Sequence, residues 1–572
     1  MEKIKKLKKL FKKEKIDGYL TSKNDEFFGE YVPDHNDRLN YISNFSGSYG
    51  FALILKNKNY LFVDGRYTLQ ARYQSERTFK IITFPDKMPN RVLRNKKLVI
   101  GFDSKLFTRK TIDWFCVNNN CKFKPLNKNL IDKIWQRKIK KNKRKFFCLP
   151  KNSVGENFNL KINKVVKNLR KKGADFQFIT ASENNAWLLN IRGEDEKYSP
   201  IPYSYILIDR EKKIMFFCDL DKITSSVRKN LKKIKFNEIK SVSKILSEIY
   251  NKKFIIDKTT CSIYFENIIS KKNIILNLND PIYDYKSIKK LKEIENIKKA
   301  HIWDGISLTK YIIWLKKNFY KEKVTEISGS NKLYNLRKKN KNFKFLSFPT
   351  ISGTGPNGSI IHYKASLKTN RELKKGDIYL VDSGGQYKFG TTDVTRTISL
   401  NNSNKRIKRI FTRVLKGHIA VANYRLKKNT TGLNIDHHAR KYLKQIGLNY
   451  PHGTGHGVGY FLNVHEGPHA ISKNNKVKFQ EGMIVSNEPG YYEKNKFGIR
   501  IENLIYVKRK KKLKYFENLT YVPIDKDLID VALLSEKEKK WLNEYHYKVF
   551  QKLKYGMDKI EKLELQRACS AI

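Results

Sequence analysis

The sequence predicts a multidomain α/β (α+β) protein, and three observations carry that prediction. The chain has 572 residues and a mass of 67.4 kDa, whereas a single hydrophobic core stops growing at roughly 250–300 residues, so two or more domains are expected. One pattern occurs twice in the first half: LKKLFKKEKIDGYLTS (7–22) and VKNLRKKGADFQFITAS (166–182) each read as a basic amphipathic helix, a turn and a short apolar strand. A hairpin-like pair follows each, at Phe51–Asp64 and Tyr203–Asp219, so a duplicated α/β module is the economical reading,. From Phe345 to Val507 the texture then changes to short strands and Gly-rich turns, which carry most of the histidines.

In chain order, four stretches are expected. Residues 1–150 open with an amphipathic helix, its apolar positions at 4, 7, 10 and 11, and continue with the strands FALILK (51–56) and YLFVD (60–64) across a polar turn,. Residues 151–295 repeat that plan, and a long helical region, Asp284–Phe319, introduces the third stretch, 296–515. The tail, 516–572, holds a helix from about Ser535 to Met557. The functional residues are expected in the third stretch.

Composition excludes several classes. With 40% hydrophobic residues, 14 Pro and 30 Gly, the chain is globular rather than disordered,. Nothing approaches the ~18 consecutive apolar residues of a membrane span, and the Lys-rich start has no signal-peptide core. A soluble, cytoplasmic protein is expected, its six scattered cysteines free thiols,. The net charge of +63 is nearly all Lys spread along the whole chain, alongside abundant Asn, Ile, Phe and Tyr, which points to a genome rich in A and T,. The denser runs at Arg137–Lys145 and Lys508–Lys514 read as a solvated linker and a hairpin tip. Neither interleaves aromatics as a stacking groove does, so no dedicated nucleic-acid partner is expected.

Gly353–Gly358 satisfies GxGxxG but is followed by SIIHY, which is β-like, and not by the helix a dinucleotide-binding loop requires,. Asp377–Asp382 is a strand ending in an acid. Alternation puts Asp393, Thr395 and Thr397 on one face of the next strand, so a turn between the two strands would bring Asp382 and Asp393 together,. Two ordinary acids at strand ends would look the same. His452-Gly-Thr-Gly-His456 is too Gly-rich for a helix, and such glycines let a metal or substrate approach the backbone,. Glu488 follows the strand MIVSN. Arg500 and Glu502 share a face while Ile499 and Ile501 point inward, the usual sign of a salt bridge. Together, Asp382, Asp393, His456, Glu488 and Glu502 supply four carboxylates and one imidazole, which balance two divalent cations and suit Mn²⁺, Co²⁺ or Zn²⁺,. Two such ions about 3.5–4 Å apart can share a hydroxide and polarise a carbonyl together.

The order and spacing of those five residues resemble the pita-bread metallopeptidases, a superfamily that includes methionine aminopeptidase, prolidase and aminopeptidase P. The strings FPTISGTGPNGSIIHY (348–363), DSGGQYKFGTTDVTRT (382–397), HGTGHGVGYFLNVHEGP (452–468) and EPGYYEKNKFGIRIEN (488–503) are similar to the cytosolic three-domain form of aminopeptidase P. So are DRLNYISNFSGSYG (37–50), VDGRYTLQARYQ (63–74) and AWLLNIRG (186–193). One departure is Phe389 before GTTD, where that family often has Asp.

The resemblance implies two creatinase-like N-terminal modules, then a pita-bread catalytic domain with a curved antiparallel sheet and flanking helices, and a C-terminal tail. It implies a homodimer that cleaves the N-terminal Xaa-Pro bond of peptides with proline in the second position, using two divalent ions, most often Mn²⁺. Carried over, Asp382, Asp393, His456, Glu488 and Glu502 would be the metal ligands. His362, His452 and His465 would line the site, with His362, His465 and Glu488 in catalytic roles, and Arg66 and Arg500 would contact substrate. Arg500 would serve equally well by holding Glu502. Two other readings stand beside this one: a non-catalytic binding module of the same fold with a basic surface, and a prolidase acting on Xaa-Pro dipeptides.

Overall fold

The computed structural model describes residues 2–139, 142–402 and 404–572, so Lys140 and Lys141 of the first basic run lie outside the described residues. The chain forms two compact units, one of Met1–Lys151 with Glu156–Ile282 and one of Asn152–Gly155 with Tyr283–Ile572.

The first unit holds the duplication. Helix α1 (Glu2–Glu14) buries the stripe Ile4, Leu7 and Phe11 against a sheet of β1 (Gly18–Ser22), β2 (Phe51–Leu55), β3 (Asn59–Asp64), β4 (Lys80–Phe84), β5 (Val99–Asp103) and β6 (Lys122–Leu126). Their order is β4-β3-β2-β1-β5-β6. After α2 (Phe158–Lys171), the strands β7 (Phe176–Ile179), β8 (Tyr205–Asp209), β9 (Ile214–Cys218), β10 (Ile234–Glu238), β11 (Lys253–Ile256) and β12 (Ile274–Asn277) repeat it as β10-β9-β8-β7-β11-β12. The sense of pairing repeats as well, with antiparallel hairpins at the centre and parallel strands outside. The repeat read in the sequence is therefore a repeat of topology.

In the second unit the expected long helix is divided. A short helix ends at Ser287, Ile288 forms a bridge with Met483, and the Lys289 amide donates to the Gly482 carbonyl at 3.0 Å before α3 (Leu291–Asn318) begins. Tertiary pairing interrupts a segment whose propensity is helical throughout. Helix α4 (Glu326–Lys338) leads to β13 (Phe343–Leu346) and β14 (Ile351–Thr354). Then come β15 (Ile378–Ser383), a small hairpin of β16 (Gly385–Tyr387) and β17 (Gly390–Thr391), and β18 (Val394–Ser399). β14, β15 and β18 form one antiparallel sheet.

Two helices, α5 (Lys405–Ala422) and α6 (Gly432–Lys444), then interrupt what reads as a run of strands and turns. Ile407, Ile410, Phe411, Val414 and Leu415 of α5 are buried at helical spacing, a period the sequence displays and the expectation of strands and turns overlooks,. α5 meets α6 at Gly417, where a Cβ would lie 2.2 Å from the Ala439 carbonyl oxygen. The six-stranded antiparallel sheet that follows contains β19 (Arg425–Leu426), β20 (Gly455–Gly457), β21 (Glu466–Ile471) and β22 (Ile484–Asn487). β23 (Gly490–Glu493) and β24 (Phe497–Arg500) pair separately, and β25 (Asn503–Lys510) and β26 (Leu513–Asn518) complete the six-stranded sheet. β25 and β26 close around Lys511 and Lys512, the expected basic hairpin tip. SIIHY, expected as β-like, instead leaves a 3₁₀ turn (Gly355–Ser359), so no helix follows the glycine motif and its rejection as a nucleotide loop stands on other grounds.

In the tail, α7 (Glu536–Leu553) lies where expected, and α8 (Lys559–Ala568) follows unforeseen. Arg396 of β18, 1% exposed, fastens the tail by donating to the carbonyls of Pro523 (3.0 Å) and Val522 (2.8 Å) and to the Tyr545 hydroxyl (2.8 Å). α7 starts in a reciprocal cap between Ser535 and Glu538. Ser535→Ala is therefore expected to lower stability by about 1 kcal/mol, read from urea unfolding. Among the described residues no helix is long and apolar enough to cross a membrane.

Candidate metal centre

β15 and β18 run antiparallel with Asp382 opposite Thr395. Asp393 stands just before β18, at the exit of the small β16–β17 hairpin, so the two acids meet through a paired insertion and not a simple turn. The face shared by Asp393, Thr395 and Thr397 looks onto the Arg500–Glu502 segment. Thr395 Oγ1 donates to Glu502 Oε2 at 2.7 Å, the Glu502 amide donates to the Thr395 carbonyl at 3.2 Å, and Thr397 Oγ1 donates to the Arg500 carbonyl at 3.0 Å. Ile499 and Ile501 are fully buried in the core beneath, as alternation requires.

His456 sits on β20. Its Nδ1 lies 3.0 Å from the Gly457 carbonyl, which can only accept, so Nδ1 carries a proton and Nε2 is the nitrogen turned toward the acids,. Nε2 faces Asp393 Oδ2 at 3.4 Å and Glu488 Oε1 at 3.5 Å. Asp393, His456 and Glu502 each offer one ligand atom within 4.8 Å of the others. Asp382 completes the group: its Oδ1 is buried with no hydrogen-bond partner, while its Oδ2 accepts from Arg500 Nη2 at 2.6 Å.

The electrostatics demand a cation. Burial, then the carboxylates of Asp382 and Glu488, push Asp393 far above the usual carboxylate range. Burial, then Asp393, Glu488 and Asp382, does the same to Glu502. Acids so close cannot all ionise unaided. Divalent cations remove that conflict. The donor set of carboxylate oxygens and one neutral imidazole nitrogen fits Mn²⁺, Co²⁺ or Zn²⁺.

Arg500 is 1% exposed and bonds Asp382, not Glu502 as its strand face suggests. Glu502 is already served by Thr395, and the guanidinium reaches Asp382 on β15, a strand of another sheet. It also donates to Thr395 Oγ1 (3.1 Å), the Tyr492 hydroxyl (2.6 Å) and the Ile361 carbonyl (3.5 Å). The Tyr492 hydroxyl, whose pKa burial raises to about 12, lies 2.9 Å from His452 Nε2, and His452 Nδ1 lies 2.7 Å from the Gly453 carbonyl. A chain of donors thus runs from Arg500 through Tyr492 to His452.

The ring of His465 meets that of His456 edge-on, with centroids 4.3 Å apart. His362 is half-buried in the loop after the 3₁₀ turn, beside Ile361. The Glu488 amide donates to the Thr454 carbonyl (2.8 Å), and its Oε1 accepts from Ser486 Oγ (3.1 Å). Arg66 belongs to the first unit, where it is forked onto Asp64 at 3.1 and 2.7 Å.

Sequence reasoning missed Tyr492, although EPGYYE contains it, and missed a buried ion triad: Glu466, next to His465, is held by Lys286 (3.2 Å) and Lys289. Each of these three lies within 2% exposure, and nothing local in the sequence pairs residues so far apart.

Comparison with known proteins agrees with this geometry. The model for metallopeptidase family M24 matches residues 295–509, and that for the C-terminal region of peptidase M24 matches 513–572. Two models of the creatinase/prolidase N-terminal domain match 3–133 and 137–293. The chain is 38% identical over 581 residues to a probable Xaa-Pro aminopeptidase P of Laccaria bicolor, covering 96% of this chain and 90% of that one. It is 35% identical to Xaa-Pro aminopeptidase 1 of Dictyostelium discoideum, with 99% and 95% covered. Among solved structures it superposes on X-prolyl aminopeptidase from Caenorhabditis elegans, described as a cytosolic enzyme with a di-nuclear active site, with a TM-score of 0.93, 29% identity and 100% and 99% covered. Prolidase from Pyrococcus furiosus matches with a TM-score of 0.51 at 25% identity, covering 62% of this chain and 98% of that one. The creatinase-like modules and the pita-bread domain with its curved antiparallel sheet are thus the observed fold.

Proposed function

The chain belongs to metallopeptidase family M24, and from that premise we propose that it is a metal-dependent Xaa-Pro aminopeptidase, releasing the first residue of peptides whose second residue is proline. One observation carries this reading: four carboxylates converge with an imidazole whose Nε2 faces two of them at 3.4 and 3.5 Å. Asp382, Asp393, His456, Glu488 and Glu502 would hold two divalent ions, which when bound supply Lewis acidity toward the scissile carbonyl and bring water within reach of ionisation at neutral pH. We take the ions to be Mn²⁺, with Zn²⁺ or Co²⁺ as alternatives.

The chain's own residues do the rest. Glu488, its backbone fixed on Thr454 and its Oε1 on Ser486, takes the proton of the attacking water and passes it to the departing nitrogen,. That transfer is obligatory, because the nitrogen of a Xaa-Pro bond carries no hydrogen and leaves only once protonated. His362 and His465 point N–H groups at the carbonyl oxygen as charge builds there. His452, oriented through Tyr492, lines the substrate's path. For Arg500 a positioning role is favoured over substrate contact, since four bonds commit its guanidinium.

The domain layout supports four parts, 1–150, 151–295, 296–515 and 516–572, to which the matched spans correspond closely. That layout argues against the prolidase reading, since the Pyrococcus furiosus prolidase spans 62% of this chain. The likeness to an enzyme described as cytosolic supports a cytosolic location; the homodimer is carried over from the family resemblance alone. Metal-stripped protein is expected to release free Arg from a peptide beginning Arg-Pro-Pro only after Mn²⁺ is restored. Silence with each of Mn²⁺, Co²⁺ and Zn²⁺ would overturn the proposal and favour the binding-module reading.

A further inference from the structure

The loop that carries His362 begins and ends on one buried carboxylate that lies in none of the sequence motifs. Glu326, the first residue of α4, is 0% exposed. Its Oε1 accepts from the Thr354 amide at 2.8 Å and from Asn357 Nδ2 at 3.0 Å. Its Oε2 accepts from the Arg371 amide at 3.0 Å, the Tyr363 hydroxyl at 2.8 Å and, shared, Asn357 Nδ2 at 3.0 Å. Thr354 and Arg371 are the loop's two ends, Asn357 lies in its 3₁₀ turn, and Tyr363 is the neighbour of His362.

The backbone of Glu326 adds to the anchorage. Its carbonyl accepts from Ser352 Oγ at 2.7 Å and its amide donates to the Arg371 carbonyl at 2.9 Å. The returning strand is stitched to the same helix start, Leu373 to Val324 at 2.9 Å and Ile327 to Asn370 Oδ1 at 3.0 Å. Burying a carboxylate is costly; the four donor groups and the positive end of a helix offset that cost,. On its other side the loop reaches the metal centre's support. The Ile361 carbonyl accepts from Arg500, which holds Asp382, and Tyr363 packs with Ile351, Leu380 and Tyr492. His362 is thus bracketed by one residue tied to Arg500 and one tied to Glu326.

We propose that Glu326 is a positioning residue for the hydrolysis, holding the 354–371 loop in the conformation that presents His362 to the substrate carbonyl. The inference rests on the reading of His362 given above. Every group facing the Glu326 carboxylate is a donor, so a glutamine there turns its NH₂ toward donors and loses one side of the anchorage.

The test is a double-mutant cycle on the Mn²⁺-loaded full chain. Glu326→Gln is expected to lower kcat by about 10–100-fold with KM changed less than about threefold and the bound metal content unchanged. In a His362→Ala background the same change is expected to cost nothing further, within about twofold. Tyr363→Phe removes a single donor and is expected to lose about threefold in kcat, again only when His362 is present; it decides the question if Glu326→Gln does not fold. Losses that add to those of His362→Ala would overturn the role of Glu326 while leaving that of His362 intact. Full activity in His362→Ala itself would overturn both.

Discussion

Asp393→Asn is expected to lower kcat/KM by at least ~10³-fold, which corresponds to ~4 kcal/mol of barrier. The substitution keeps the size and planarity of the side chain and removes one negative charge from a cluster of four carboxylates. Because Asp393 lies against both His456 and the carboxylates of Asp382 and Glu488, the loss falls on ion binding as well as on chemistry. Calorimetric titration of metal-stripped protein with Mn²⁺ is expected to show weaker binding or one ion fewer. The variant is also expected to be at least as stable as the wild type in the absence of metal. In the metal-free protein the buried acids repel one another, and replacing one with a neutral amide relieves that repulsion,. Higher thermal stability of stripped Asp393→Asn together with lost activity would be the signature of a residue kept for its ions. An active variant with unchanged Mn²⁺ binding would remove Asp393 from the ligand set.

The parts legible in the sequence were those encoded locally. Period-2 alternation placed Asp393, Thr395 and Thr397 on one face and Ile499 and Ile501 in the core, and the repeated helix–turn–strand texture disclosed two sheets of one topology. Order and spacing alone drew together five residues that the fold brings near one another. What escaped depended on contacts across long separations. The break before α3 is enforced by Gly482 and Met483, almost two hundred residues away, against a local preference for helix. Helices α5 and α6 are a different case: their apolar residues recur at helical spacing in the sequence itself, and the short strands and Gly-rich turns on either side drew the reading of 345–507 away from that period,. Glu326 lies in no motif, and the 452–468 string that contains Glu466 says nothing of Lys286 and Lys289; only the folded chain shows what each acid holds. Arg500 illustrates the limit best, since a shared strand face suggested Glu502 as its partner and Asp382, on a strand of another sheet, took the bond.

That misreading makes Arg500 the second decisive position. Arg500→Met is expected to lower kcat/KM by about 10²–10³-fold, or roughly 3–4 kcal/mol, with a parallel loss of Mn²⁺ affinity. The argument is one of geometry as much as charge. Arg500 is 1% exposed, and its Nη2 steadies Asp382 at 2.6 Å, its Nη1 Tyr492 at 2.6 Å and its Nε Thr395 at 3.1 Å. Thr395 in turn donates to Glu502, and Tyr492 to His452, so one planar cation sets the orientation of two acids and the His452 ring. Methionine fills the volume but leaves the Asp382 Oδ2 buried without its partner. Lysine restores the charge but not the fork, and cannot serve three partners lying in different directions. Arg500→Lys is therefore expected to recover metal affinity in large part while kcat stays about tenfold or more below wild type, because Tyr492 and Thr395 remain unsupported. Separate measurement of kcat and of the Mn²⁺ dissociation constant distinguishes the two contributions. If Arg500→Lys matched the wild type in both, charge alone would suffice and the alignment argument would fail; if it matched methionine in both, the placement of the guanidinium against Asp382 Oδ2 would be what retains the ions.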